Sequence, residues 1–347
     1  MIRILVATDT WHPHVNGVVR TLGAVARLAE PLGAKLIFLT PQGMPSVPLP
    51  TYPGIRIALP GPGVIASRIA AAEPEAIHIA TEGPIGHLVR RYCINRGLPF
   101  TTSFHTRFPD YLAARVPIPE RWSWAWLRRF HNASAGVMAA TPALAAELAT
   151  RGFHRVMLWP RGVDTDLFRP RPGSDLGLRR PVFLTVGRVA VEKNLEAFLS
   201  LGLAGTKVVV GDGPARAALM QRFPDTVFIG QMQGEALARV YAAADVFVFP
   251  SLTDTFGLVL LEALASGVPV AAFAVAGPRD VITQASIGAL DQNLAAACTK
   301  ALTLSREACR AFALTTTWEH SAHCFVANVT KSVLGHPAPL RQSELVG

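Results

Sequence analysis

Cysteine is scarce in this sequence, four residues in 347. Cys93, Cys298, Cys309 and Cys324 show neither CxxC spacing nor the framework of a small secreted fold. That excludes a disulfide scaffold, and free thiols in a reducing cytosol follow. No GxGxxG, GxSxG or HExxH motif occurs, so a dinucleotide fingerprint, a hydrolase elbow and a zincin helix are all missing. His12, His14, His78 and His87 lack ligand spacing, and no metal is expected. Charge is also sparse, at 16% of residues. Half the chain is apolar, which excludes disorder and allows large cores. The chain opens on a strand-like run rather than a basic leader, so a cytoplasmic location is expected. The longest apolar stretch, Leu258 to Ala276, is broken by Glu262 and Pro269 and makes a poor membrane span.

What charge there is has one sign and one place. The net value is +9. Residues 1–170 hold 18 Lys/Arg against 10 Asp/Glu, and the remainder holds 15 against 14. A basic first half attracts nucleic acid, anionic lipid or an anionic substrate.

Short runs of Val, Ile, Leu and Phe alternate with helix-compatible segments. They lie at Ile2–Thr8, Lys35–Thr40, Ala76–Ala80, Pro99–Phe104 and Gly136–Ala140. The series restarts at Val182–Val186, Lys207–Val210, Thr226–Ile229, Val246–Phe249 and Val268–Ala272. Continuous apolar strands spaced by helices predict parallel sheets covered on both faces. Two series predict an α/β protein of two Rossmann-like, doubly wound domains facing across a cleft. The Pro- and Gly-rich stretch Phe168–Gly173 sets the boundary at residues 1–170 and 171–347. A helix around 305–333 is expected to pack back on the first domain. Ligands in such folds lie beyond the carboxyl ends of the strands, so residues just after strands carry the information.

The most informative segment is Pro250-Ser251-Leu252-Thr253-Asp254-Thr255-Phe256-Gly257-Leu258, running on to Glu262. It follows a buried strand and opens an apolar helix, whose N-terminal amides and dipole suit a phosphate. Asp254 and Glu262 on either side suit sugar hydroxyls. A diphosphate flanked by polyols is a nucleotide sugar. An ordinary cap and a solvated glutamate explain the same residues equally well.

Gly187-Arg188 with Lys193 follows Val182–Val186 and offers two cations for a diphosphate, while pairing of Lys193 with Glu192 is the plainer alternative. Gly211-Asp212-Gly213-Pro214 is a strand-end turn near a base or ribose, or a simple turn. Gly17, after Asn16, starts a helix at a second anion-friendly junction. His105 ends a strand of the first half, where it can orient a reacting hydroxyl or serve structure alone. Trp122, Trp124 and Trp126 alternate among Arg121, Arg128 and Arg129, with Arg107 and Arg115 upstream. Rings and cations together suit a membrane interface, but indoles spaced by two do not share one helical face, and a core helix is the alternative.

Taken in order, these motifs, together with Arg161-Gly162-Val163-Asp164-Thr165-Asp166-Leu167-Phe168, resemble glycosyltransferase family 4 from about residue 2 to residue 325. The resemblance implies a GT-B fold with the acceptor on the first domain and a nucleotide-sugar co-substrate on the second. It implies retention of configuration and neither cofactor nor metal. It matches Arg188 and Lys193 to the donor diphosphate, Glu262 to the ribose, and Thr255, Phe256, Gly257 and Leu258 to the loop reaching sugar and phosphate. Gly17, Gly187, Gly211 and Gly213 match its glycine turns, and His105 its cleft histidine. Asp254 stands where the EX7E motif usually has Glu, a shorter arm toward the sugar. The partners implied are a UDP- or GDP-sugar carrying glucose, glucuronate or mannose and a membrane lipid such as diacylglycerol, at the inner face of an anionic membrane and without nucleic acid. A polysaccharide or lipopolysaccharide acceptor is the alternative, and a 2-epimerase of the same fold a further one.

Overall fold

Runs that are short, β-branched and apolar at every position become strands, because both faces of a parallel sheet are covered. A computed structural model describes residues 1–12, 16–49, 52–105 and 119–335. It divides into two compact units, Met1–Pro160 with Glu319–Gly347, and Arg161–Trp318.

The first unit contains β1 (Ile2–Ala7), β2 (Ala34–Leu39), β3 (Ser46–Leu49), β4 (Tyr52–Ala58), β5 (Ala76–Ile79), β6 (Thr101–Ser103), β7 (Gly136–Ala139) and β8 (Val156–Leu158). β3 and β4 form a separate antiparallel hairpin. The other six make one parallel sheet in the order β2-β1-β5-β6-β7-β8. Alternate residues of β1 serve opposite faces, Ile4 and Val6 packing in one core and Leu5 and Ala7 in another. The helix Trp318–Leu334 covers the first of these faces with Ala322, Phe325, Val329 and Val333. Trp159 is fully buried there, and its Nε1 donates to Ser321 Oγ at 3.1 Å.

The second unit contains β9 (Val182–Val186), β10 (Thr206–Val210), β11 (Val227–Gly230), β12 (Val246–Phe249), β13 (Val270–Phe273) and β14 (Gly288–Asp291). They pair in parallel in the order β11-β10-β9-β12-β13-β14. Leu184, Val208, Val210, Phe247 and Phe249 fill the core on one side, and Phe183, Val209, Val246 and Val248 fill the other. Cys93, Cys298 and Cys309 are buried free thiols in the two units, each pushed by burial to about 12.

The stretch Phe168–Gly173 lies inside the second unit, whose first residue is Arg161. Val163 and Phe168 belong to its core. Arg310 ties the segment down by donating to the carbonyls of Thr165, Phe168 and Ala265. The region 305–333 is likewise divided. Cys309 and Ala313, on the helix Arg306–Leu314, pack in the second unit's core, while the chain from Glu319 onward belongs to the first.

Strand order reverses between β9 and β12 in the second unit and between β1 and β5 in the first. Crevices at such reversals are where open α/β sheets bind ligands.

Candidate functional site

Around the reversal in the second unit, the loops after β9 and β10 are bound backbone to backbone. Val189 N–H donates to Asp212 O at 2.9 Å, and Ala215 N–H to Val189 O at 3.1 Å. A Cβ at Gly211 would lie 1.8 Å from Gly187 O, and one at Gly213 would lie 2.4 Å from Val189 O. Both glycines also have positive φ, 144° and 157°. Their local role is therefore close packing of one loop on the next, and the space beside Gly187 (φ 154°) stays open.

Lys193 ends a short 3-10 turn, Val191–Lys193, and Asn194 follows with φ 51°. Asn194 Nδ2 donates to Pro250 O at 3.0 Å, which binds the loop after β9 to the loop after β12. Across that seam Lys193 Nζ donates to both carboxylate oxygens of Asp254, each at 2.7 Å. The partner of Lys193 is thus Asp254 rather than the adjacent Glu192. Both side chains are partly buried, 27% and 14% exposed, so the pair is screened less than a surface one. Arg188 is half-buried on the same loop.

After Asp254 the chain passes Thr255 and Phe256 and enters the helix Leu258–Ala265 through Gly257, whose φ is 82°. No side chain caps this helix and its first turn holds no acid, so its positive end is left for an incoming anion. Thr253 Oγ1 is buried beside it without a hydrogen-bond partner among the described residues. Such hydroxyls are rare in folded proteins, and a polyol would satisfy it. Glu262 is 2% exposed on the inner side of the same helix. A buried carboxylate needs donors, and Tyr241 Oη supplies one at 2.9 Å.

Two residues of this site escaped sequence reasoning. Tyr241 is fully buried and reads as plain core in its apolar helix. Gly277 looks like an ordinary turn residue, yet a Cβ there would lie 2.2 Å from Asp254 O. The helix Ala276–Val281 therefore seats the loop bearing Asp254 only because it carries glycine at that point.

In the first unit, Gly17 begins the helix Gly17–Ala29, with Asn16 as the cap accepting from Val19 N–H at 3.0 Å. His105 follows β6, and its ring stands edge-on to Trp159 at 5.5 Å. The reversal between β1 and β5 holds a residue that the sequence reading passed over. Asp9 accepts from Ile85 N–H at 2.7 Å, Gly86 N–H at 3.3 Å and Thr81 Oγ1 at 2.7 Å. Its carboxylate thereby fills the start of the helix Pro84–Asn95, and desolvation holds its pKa above the usual carboxylate value.

The tryptophan cluster divides. On the helix Glu120–His131, Trp124 is 5% exposed and packs with Phe104, Leu127 and Phe153. Its expected place at a membrane is corrected: it belongs to the core, because it shares a face with Leu127 and Phe130 at helical spacing. Trp122 and Trp126 are exposed with Arg121 and Arg129 beside them, while Arg128, also exposed, lies on the other flank and donates to Arg151 O. Arg107 and Arg115 lie outside the described residues. Among the described residues no helix is long and apolar enough to cross a membrane.

Comparison with known proteins agrees with the motif order. A model of "Glycosyltransferase Family 4" matches residues 15–167, and one of "Glycosyl transferases group 1" matches residues 180–305. The chain is 32% identical to a GDP-mannose-dependent alpha-mannosyltransferase of Mycobacterium tuberculosis, over 83% of each protein. It is 27% identical to an alpha-monoglucosyldiacylglycerol synthase of Streptococcus pneumoniae, over 87% of this chain and 78% of that one. Among solved structures, sucrose-phosphate synthase from Thermosynechococcus elongatus superposes with a TM-score of 0.75 at 20% identity, over 94% and 98% of the two chains. That likeness bears on the fold alone, which is GT-B.

Proposed function

The chain belongs to glycosyltransferase family 4, and from that premise we propose that it moves a hexosyl unit from a UDP- or GDP-sugar to a membrane lipid, with retention of anomeric configuration. It is an enzyme that takes hexose from a nucleotide sugar. The observation that supports the donor side of this reading is the Lys193–Asp254 pair beside the uncapped helix Leu258–Ala265.

In this reading the diphosphate enters between Arg188, Lys193 and the helix start, while Asp254 turns its carboxylate to the sugar. Glu262 receives the ribose hydroxyls. Breaking the bond from C1 to the phosphate oxygen leaves charge on the nucleoside diphosphate. Fixed cations and amides stabilise that charge more in the transition state than in the ground state. The acceptor hydroxyl forms its bond to C1 on the face the diphosphate leaves, and its proton passes to the departing phosphate oxygen. His105 orients that hydroxyl. Arg188 and Lys193 do the neutralising that a divalent cation does elsewhere, so EDTA is expected to leave the rate unchanged. A rate that falls with EDTA and returns with added magnesium refutes this point.

The lipid acceptor is supported by the basic first half and by the relative whose name specifies diacylglycerol. GDP-mannose and UDP-glucose are the first donors to try, with UDP-glucuronate beside them. Purified protein incubated with this panel and diacylglycerol vesicles should yield one glycolipid by mass spectrometry, with an α-anomeric proton by NMR. Transfer to soluble glycans alone, or conversion of donor without any acceptor, would overturn the assignment.

A further inference from the structure

We propose that the outer face of the helix Glu120–His131 is a docking surface for an anionic bilayer, with Trp122 and Trp126 inserting at the headgroup level and Arg121 and Arg129 binding lipid phosphates. This deepens the lipid-acceptor reading and rests on it for its purpose. The physical surface stands on separate observations.

The helix is anchored from within by Trp124, Leu127 and Phe130. Trp122 and Trp126 are one turn apart and 65% and 40% exposed, Trp126 standing at the flank with its ring 6.4 Å from that of Phe130. Indole is the side chain with most to gain from leaving water, and its single N–H suits it to an interface where one end stays wet. Two exposed on one stripe leave an apolar surface that water does not favour. The helix carries one carboxylate, Glu120 at its first position, against the cations Arg121, Arg128 and Arg129, so it keeps an excess of positive charge. Arg128 is turned to the other flank and donates to Arg151 O, whereas Arg121 and Arg129 remain exposed beside Trp122. This combination selects the occupant. A second copy of the chain would bring arginines against arginines, whereas an anionic lipid surface offers both phosphates and an apolar boundary.

Topology also sets where the surface lies. β6 and β7 are parallel neighbours, so the helix between them in sequence runs back against them. Its first turns, with Trp122 and Trp126, therefore stand at the carboxyl ends of the strands, the ligand-binding rim of such sheets. The ring of His87, from the first turn of the helix that follows β5, lies 5.1 Å from that of Trp126 and marks the same rim. A bilayer seated here faces the edge where an acceptor would enter the first unit.

The test is co-sedimentation of the whole protein with phosphatidylglycerol/phosphatidylcholine vesicles at about 0.15 M salt. Wild type is expected to bind them and not pure phosphatidylcholine. Trp122→Ser/Trp126→Ser should weaken binding about tenfold or more, and Arg121→Glu/Arg129→Glu should abolish it, since each cation near such a surface adds about fivefold. Unfolding midpoints and nucleotide-sugar hydrolysis should match wild type in both variants, which shows that they fold. The proposal fails if wild type ignores anionic vesicles or if both variants bind like wild type. It also fails if an oligonucleotide competes as well as lipid does, or if light scattering shows that the variants lose a dimer instead. Wild-type vesicle binding with transfer only to soluble glycans would refute the lipid acceptor and leave the surface standing. Transfer to detergent-dispersed lipid with vesicle binding untouched by the variants would do the reverse.

Discussion

Lys193 and Asp254 hold each other at 2.7 Å across two loops, so removing one charge strands the other in a half-buried place. Lys193→Ala should lower kcat/KM by about 10²–10³, the range for deleting one preorganised donor to a developing charge. The unfolding midpoint of the second unit should fall by less than about 4 °C, the scale of about 1 kcal/mol in a domain of that size. Steady-state kinetics beside calorimetry separates the two effects, and near-normal turnover would remove Lys193 from the site. Tyr241 acts one step back, through Glu262. Tyr241→Phe keeps the ring in its core and withdraws the donor. KM for the nucleotide sugar should rise about fivefold to tenfold, the scale of one net hydrogen bond, with kcat within a factor of two. A purely structural role would lower stability and leave KM alone. Arg188, Lys193 and Asp254 were legible as candidates because they follow two buried strands, although a cap or a surface pair would have looked the same in sequence. Tyr241 was not, since its hydroxyl partner is 21 positions away and its ring looks like any core aromatic.

At the level of elements, the central strands were legible and the edges were not. β12 and β13 are apolar throughout, and β9 and β10 are so apart from Thr185 and the opening Thr206-Lys207, because neighbours and helices cover them. β8 and β14 each have a neighbour on one side only; β8 is only three residues long, and Gly288 and Asp291 dilute the signal of β14. The hairpin β3–β4 contains Pro48, Pro53 and Gly54, residues that mark breaks rather than strands. Trp124 was misplaced for a related reason: three indoles at alternate positions look like one group until the helical turn sends one inward. The helix Ala276–Val281 positions the Asp254 loop by close approach at Gly277, where a Cβ would meet the Asp254 carbonyl at 2.2 Å. Gly277→Ala should displace that loop and lower kcat about tenfold to a hundredfold, the usual effect of a misplacement near 1 Å. Donor-bound crystal structures of both forms would show the shift. An alanine form with wild-type rate would mean the loop relaxes at no cost to function.

For the molecule as a whole, the chain leaves the first unit at Pro160, builds the second and returns at Glu319. The returning helix supplies Phe325, fully buried against the first sheet. Phe325→Ala should therefore destabilise the first unit by about 3–5 kcal/mol, although the residue is remote in sequence from every strand it supports. Denaturation followed by hydrogen exchange should show protection lost in β1 and β5 and kept in β9 and β12. Loss confined to the second unit would contradict the assignment of this helix. The same arrangement governs the order of events during synthesis. Domains generally fold as they leave the ribosome, amino-terminal first. Here the earliest strands emerge lacking the helix that shields them, so the segment 161–318 is free to mature while its predecessor waits. The newborn amino-terminal sheet thus carries one bare apolar face until the helix Trp318–Leu334 has been made, and this is the stage at which chaperones would matter most to its survival.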